Sequence, residues 1–266
     1  MSKFFTTEIS YAENEFDRLR FITVKSRALH RRADITIYVP PGLNPAVSAD
    51  VVILLHGVYG SHWAWAMNGA VHKTADRLIQ QGTIRPMVLV MPSDGLYGDG
   101  SGYLKHQTED YEKWIVEDVI EVVKEQISGV NDQSQFFITG LSMGGYGALR
   151  IGAKYPGVFR SFSGLSSITE FSQLNLFLES GEYKRLGDRV VMQENVLDCL
   201  IAGKENLPPF YFDCGTEDIL IEFNRKLHQR LLENNIRHTY QENPGAHQWT
   251  YWQTHIEDSL VFFNGL

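Results

Sequence analysis

Five short stretches constrain this chain more than anything else in it. "DVVILLHG", "RPMVLVMPSDG", "SQFFITG", "FRSFSGLSS" and "PPFYFDCG" repeat one form, an apolar run broken off at a glycine or a small polar turn. A strand with one wet face alternates apolar and polar residues, whereas a strand buried on both faces reads as a near-continuous apolar run. Amphipathic patterns of helical period lie between these runs. "YEKWIVEDVIEVVKEQI" sets Trp114, Ile115, Val119, Val122 and Val123 on one face, "MGGYGALRIGAKYP" is closed by Pro156, and "DILIEFNRKLHQRLLENN" repeats Leu220, Phe223, Leu227 and Leu231. Buried strands alternating with such helices predict an α/β fold, a mostly parallel central sheet with helices on both faces. Upstream, "RLRFITVKS" and "RADITIYVPPG" read as two strands joined by a short polar turn, which predicts an antiparallel N-terminal edge.

A length of 266 residues suits a single domain over 1–266. Residues 168–206, mixed in polarity and with only short helical signals, interrupt the alternation, and are expected to form a lid-like excursion over the carboxyl edge of the sheet. Ligands bind at that edge in open α/β sheets. The 24 basic against 32 acidic residues give a net charge of −8 with no basic block, so no nucleic-acid partner is expected. The N-terminal "MSKFFTTEISYAENEFDRLR" has no apolar run long enough for a signal peptide or anchor, so a cytoplasmic location and no membrane partner are expected. Two cysteines, Cys199 and Cys214, outside any CxxC pair fit a reducing compartment.

"FFITGLSMGGYGA" places Ser142 between Gly140 and Gly144, after a buried strand and before a helix. A bare G-x-S-x-G is a weak pattern, but strand-turn-helix is the setting a nucleophile elbow needs. The sharp turn strains the serine backbone, so residues two away must lack bulk. A serine hydroxyl also needs a base, and the base needs an orienting group. "FYFDCGTEDIL" offers Asp213, Glu217 and Asp218. Of these, Asp218 lies in the turn past the strand end, Asp213 is close to strand geometry, and Glu217 or Asp218 also suits a helix cap. Beyond it, His238 opens the last strand and His255 lies inside the final helix, leaving His247 of "NPGAHQWTYW" in a loop. Backbone N–H groups for an oxyanion would come from Met143 and from the loop in "LLHGVYG", with Val58 as the second donor and Tyr59 as the alternative. Neighbouring His56 reads as a structural residue of that loop. Tyr59, Trp63, Trp65 and Trp249 are candidates to line a substrate pocket. No HExxH or Cys/His cluster suggests a metal, and no cofactor is expected.

From the "YVPPG" strand to the last helix the chain resembles the α/β-hydrolases of the esterase D group, which comprises short-chain carboxylesterases, acetyl and feruloyl esterases and S-formylglutathione hydrolases. "LLHGVYG" with Trp65, "MPSDG", "GLSMGGYGA", "SFSGLSS", "DCGTEDIL" and "PGAHQWTYW" carry the resemblance. It implies an α/β-hydrolase fold, Ser142 as nucleophile, Asp218 as orienting acid and His247 as base, a small-molecule ester substrate and frequent homo-oligomers. "HGVYG" stands where the S-formylglutathione branch resembles a cysteine-containing segment, which favours the acetyl, feruloyl and tributyrin side. A thioesterase, an acyltransferase and a non-catalytic hydrolase-fold binding module are the alternatives.

Overall fold

The computed structural model describes residues 2–10, 16–44 and 46–266. Its centre is a nine-stranded sheet built from β1 (Thr7–Ile9), β2 (Leu19–Lys25), β3 (Arg32–Tyr38), β4 (Asp50–Leu55), β5 (Met87–Pro92), β6 (Phe136–Gly140), β7 (Phe159–Leu165), β8 (Phe210–Gly215) and β9 (Thr239–Asn243). The spatial order is β1-β2-β3-β5-β4-β6-β7-β8-β9. The pairs β1–β2, β2–β3 and β3–β5 are antiparallel and the rest parallel. The antiparallel edge thus has three strands. The outermost, β1, has no fully buried residue and so leaves no apolar run to read.

The apolar runs occupy the middle of this sheet for the expected reason. Along β4, Val51, Ile53 and Leu55 face one core while Val52 and Leu54 face the other. The first core is closed by α3 (Tyr111–Lys113), a π-helical stretch (Trp114–Val119) continuing into α4 (Ile120–Gln126), α5 (Met143–Lys154), α7 (Val196–Ala202) and α8 (Ile221–Glu233). The second is closed by α2 (Val71–Gln80), which follows the short α1 (Ala64–Met67), and by α9 (Trp249–Asn264). Helices therefore cover both faces. Each strand's full burial is worth about 1.5–3 kcal/mol per large apolar side chain, upper figures that chain entropy largely offsets.

Asp110 caps α3, its carboxylate accepting from the Lys113 N–H at 2.9 Å. Replacing it by alanine should cost about 1 kcal/mol, read as a shifted urea midpoint at unchanged slope. Further along, the buried Asp118 accepts from Ser26 Oγ at 2.6 Å and from the Arg27 and Ala28 N–H groups at 2.8 and 3.1 Å, which fixes the turn between β2 and β3.

Residues 168–206 contain a 3-10 turn (Phe171–Leu176), α6 (Ser180–Arg189), α7 and a second 3-10 turn (Lys204–Asn206), with no named strand. Within them Phe177 reaches His247, with ring centroids 4.9 Å apart. Their anchor is Arg150 of α5, which is fully buried and ion-paired to Glu194. No described helix is long and apolar enough to cross a membrane.

Candidate active site

Ser142 sits between β6 and α5 with φ +54° and ψ −118°, a left-handed conformation that costs a non-glycine residue roughly 1–3 kcal/mol. The turn closes so tightly that a Cβ at position 140 would collide with the Gly144 carbonyl, and one at 144 with the Leu55 carbonyl. The Ser142 N–H donates to the Leu165 carbonyl at 3.0 Å, and its own carbonyl accepts from Tyr146 at 3.0 Å and Ile168 at 3.2 Å. Strain at one residue is thus held by β7 and by the first turn of α5.

Two loops at the same edge bring up the partners. Asp218 follows β8, with its side chain out of solvent, and one carboxylate oxygen also accepts from the Leu220 N–H at 2.8 Å. His247 follows β9. Its Nδ1 lies 2.9 and 3.0 Å from the Asp218 oxygens, and its Nε2 lies 3.0 Å from Ser142 Oγ. A carboxylate only accepts, so Nδ1 carries the proton and Nε2 is left with its lone pair toward the serine hydroxyl. Trp252 stands edge-on to the imidazole and Phe177 lies at a shallow angle to it, each with ring centroids 4.9 Å away.

The other candidate acids and bases are engaged elsewhere. Glu217 is exposed, whereas Asp213 is fully buried and accepts from Tyr251 Oη at 2.7 Å. His255 is bonded to Asp258 on α9 at 2.9 Å, and His238 to His228 at 2.8 Å. His56 holds its loop in shape. Its Nδ1–H donates to the Gly57 carbonyl at 2.7 Å and its Nε2 accepts from the Asp94 N–H at 3.1 Å.

Among the described residues the Val58 and Met143 N–H groups have no hydrogen-bond partner, while the Tyr59 N–H is committed to the Asp99 carbonyl at 2.8 Å. That leaves Val58 and Met143 as the available donors and removes Tyr59. In front of them is a cavity of about 390 Å³ reaching Ser142 and His247 and lined by Tyr59, Trp63, Trp249, Trp252, Phe177 and Asn68. Tyr59 and Trp63, 63% and 42% exposed, form its rim. Tyr59 Oη donates to the Phe177 carbonyl, so the 168–206 excursion supplies one wall. Trp65 requires a correction. It is 1% exposed and belongs to the core, its indole Nε1 donating to the Leu55 carbonyl at 2.9 Å and its ring backing Trp249 at 5.7 Å. A larger cavity, about 510 Å³, lies beside α7 and includes Cys199, whose thiol burial pushes up to about 11. Such a cysteine is almost wholly thiol at neutral pH and a poor nucleophile. Cys214 is also free, and buried.

The Esterase family model matches residues 26–263. The chain belongs to the esterase family, and it is an ester hydrolase. An acetyl esterase from Caldicellulosiruptor saccharolyticus is 28% identical over 228 residues, 79% of this chain and 82% of that protein. A two-activity protein of Xylanibacter ruminicola, an endo-1,4-beta-xylanase/feruloyl esterase, is 27% identical over 155 residues, which span 56% of this chain and 21% of its own length. Among solved structures, a ferulic acid esterase superposes with a TM-score of 0.79 at 21% identity, covering 98% of each chain. An S-formylglutathione hydrolase from Staphylococcus aureus does so with a TM-score of 0.76 at 20% identity, covering 96% of this chain and 98% of that one. These superpositions establish the α/β-hydrolase fold for this esterase.

Phe177, Trp252 and Asn68 of the esterase's pocket lie outside the sequence reading. Trp252 had a signal, since it falls one helical turn after Trp249 in "HQWTYW". Phe177 has none, because only the folded path of residues 168–206 brings it to His247.

Proposed function

We propose that the protein is a serine carboxylesterase acting through an acyl-enzyme, with Ser142 as nucleophile, His247 as general base and then acid, and Asp218 as the orienting carboxylate. The observation that carries this reading is the unbroken relay from Asp218 through His247 to Ser142 Oγ, with every step at 2.9–3.0 Å. In the first half-reaction Nε2 takes the hydroxyl proton as Oγ attacks the ester carbonyl. The oxyanion is held by the Met143 and Val58 N–H groups. The tetrahedral intermediate collapses as Nε2 returns the proton to the leaving alcohol. In the second half-reaction water repeats the sequence and releases the acid. Asp218 keeps the imidazole in the required tautomer and stabilises the imidazolium throughout.

The substrate class follows from the lining. Among the described residues no Lys, Arg, Asp or Glu lines the cavity beside Ser142, which instead presents indole and phenyl faces and one amide, Asn68. Such walls suit a small neutral acyl group and an uncharged aromatic or sugar moiety. A glutathione thioester would bring carboxylates to a lining that holds no Lys or Arg among the described residues. We therefore assign acetyl and feruloyl esters of sugars as the substrates, in keeping with the acetyl esterase and feruloyl esterase named among the relatives.

Hydrolysis of nitrophenyl esters from acetate to octanoate, of methyl ferulate, of acetylated xylose and of S-formylglutathione tests this directly. Acetate should exceed octanoate in kcat/KM, and the oxygen esters should exceed the thioester. Fluorophosphonate should label the peptide containing Ser142. Preference for S-formylglutathione by an order of magnitude would establish a thioesterase, and failure of folded protein to label would leave a non-catalytic binding module.

A further inference from the structure

Asp213 is a fully buried carboxylate at this edge with no part in the relay, and its surroundings connect it to the turn that holds Ser142 and to the His247 loop. Its backbone carbonyl accepts from the Ser166 N–H at 2.8 Å, at the end of the strand whose Leu165 carbonyl holds the Ser142 N–H. Its Oδ1 accepts from Tyr251 Oη at 2.7 Å, and its Oδ2 has no hydrogen-bond partner among the described residues. Tyr251 lies in the first turn of α9, just beyond the His247 loop.

That loop rests on the Tyr251 ring. Gly245 has φ +138°, and a Cβ there would come within 2.7 Å of Tyr251 Cδ2, so only glycine lets the chain lie this close. Above the ring the base loop and the acid loop are stitched together by their backbones. Thr216 N–H donates to the Asn243 carbonyl at 2.8 Å and Glu217 N–H to the Gly245 carbonyl at 2.9 Å. The ring's position therefore sets the height of Gly245, and through it the register of His247 against Asp218 and Ser142.

We propose that Tyr251 and Asp213 form a buried positioning pair that holds the His247 loop in catalytic register, so that the strength of their hydrogen bond governs turnover. This rests on His247 being the general base. Burial pushes the Asp213 carboxyl up to about 7. The titratable groups facing it are Tyr211 on β8, Tyr251 and Asp258 on α9, and Asp218 on the loop after β8, with Cys214 adjacent and the His255 ring tilted against Tyr251. Ionisation makes the Tyr251 bond charge-assisted and shorter, which tightens the loop as pH rises through 7.

The test uses Tyr251→Phe, which deletes the donor, and Asp213→Asn, which keeps an acceptor but cannot ionise. Tyr251→Phe should lower kcat about tenfold with KM within about twofold, the signature of a displaced base. It should also weaken the low-field proton resonance of His247 Nδ1–H. For Asp213→Asn the ratio of wild-type to variant kcat should rise from about one at pH 6 to about threefold at pH 8.5. Comparing ratios removes the titration common to both proteins, and this near-isosteric variant keeps the test open should Tyr251→Phe fail to fold. Wild-type kcat in Tyr251→Phe, or a flat Asp213→Asn ratio, would overturn the proposal and leave the pair as packing. His247→Ala separates the two levels. If it stays active the triad reading fails, and if it is dead while Tyr251→Phe is unaffected only the positioning role falls.

Discussion

Ser142→Ala should lower turnover of nitrophenyl acetate by on the order of 10⁴-fold or more, while the protein stays folded. The size of the loss follows from the chemistry. Without Oγ no acyl-enzyme forms, and the best remaining route is attack by water, for which His247 and the Met143 and Val58 N–H groups still stand ready. The fold is spared because the backbone bonds of this turn involve the Ser142 N–H and carbonyl and leave its hydroxyl out. Alanine meets the same φ penalty as serine at +54°, so the two differ chiefly by one hydrogen bond, to His247 Nε2 at 3.0 Å. That should appear as a change in stability of about 1 kcal/mol. A double variant with His247→Ala should be scarcely slower than either single one, since nucleophile and base act as a unit. A Ser142→Ala protein that retained its rate would make Ser142 a turn residue and nothing more.

Such a prediction can be framed from the sequence because the relay's residues are tied to element ends that the sequence marks clearly. Ser142, Asp218 and His247 each follow a strand, and β6 and β8 are runs apolar on both faces, which few other structures produce. β9 is exposed enough that its turn residues, Pro244 and Gly245, carry more information than its strand residues. The donors of the oxyanion site are less legible, because backbone groups leave no side-chain trace. The choice of Val58 over Tyr59 draws its support from the fold, where the Tyr59 N–H is bonded to the Asp99 carbonyl. Trp65 departs from the pocket expected of it because an aromatic side chain beside a loop fits a pocket or a core equally well, and its position on α1 turns it inward under Trp249. Asp213 reads as close to strand geometry with no partner in view, because the one it bonds, Tyr251, comes from a helix 38 residues later.

Arg150→Met should destabilise the protein by about 3–5 kcal/mol, the cost of leaving a buried ionic network short of one member. Helix α5 is buried along nearly its whole circumference, and the Arg150 side chain has no exposure. Its guanidinium pairs with Glu194, lies 3.5 Å from Glu112, donates to the Gly102 and Tyr103 carbonyls at 3.0 Å each, and stacks over Tyr146. Methionine fills the volume but leaves two carbonyls without that donor and two carboxylates sharing Lys154, which bonds each at 2.8 Å. The sign of the pH dependence is fixed by Glu194. Burial alone would raise its carboxyl, but Arg150 and Lys154 outweigh burial and hold it below the ordinary value of 4.5. A carboxyl depressed in the folded state contributes stability above its unfolded value and loses it as pH falls through the folded one. The gap between wild type and Arg150→Met, measured by urea unfolding, should therefore be full at pH 7 and narrow below about pH 4.5. Turnover should fall as well, because Tyr103, whose carbonyl Arg150 holds, donates its hydroxyl to the His56 carbonyl at 3.0 Å, two residues before the Val58 N–H. A gap that stayed constant into acid would mean that Arg150 stabilises through packing on Tyr146, with its charge contributing little.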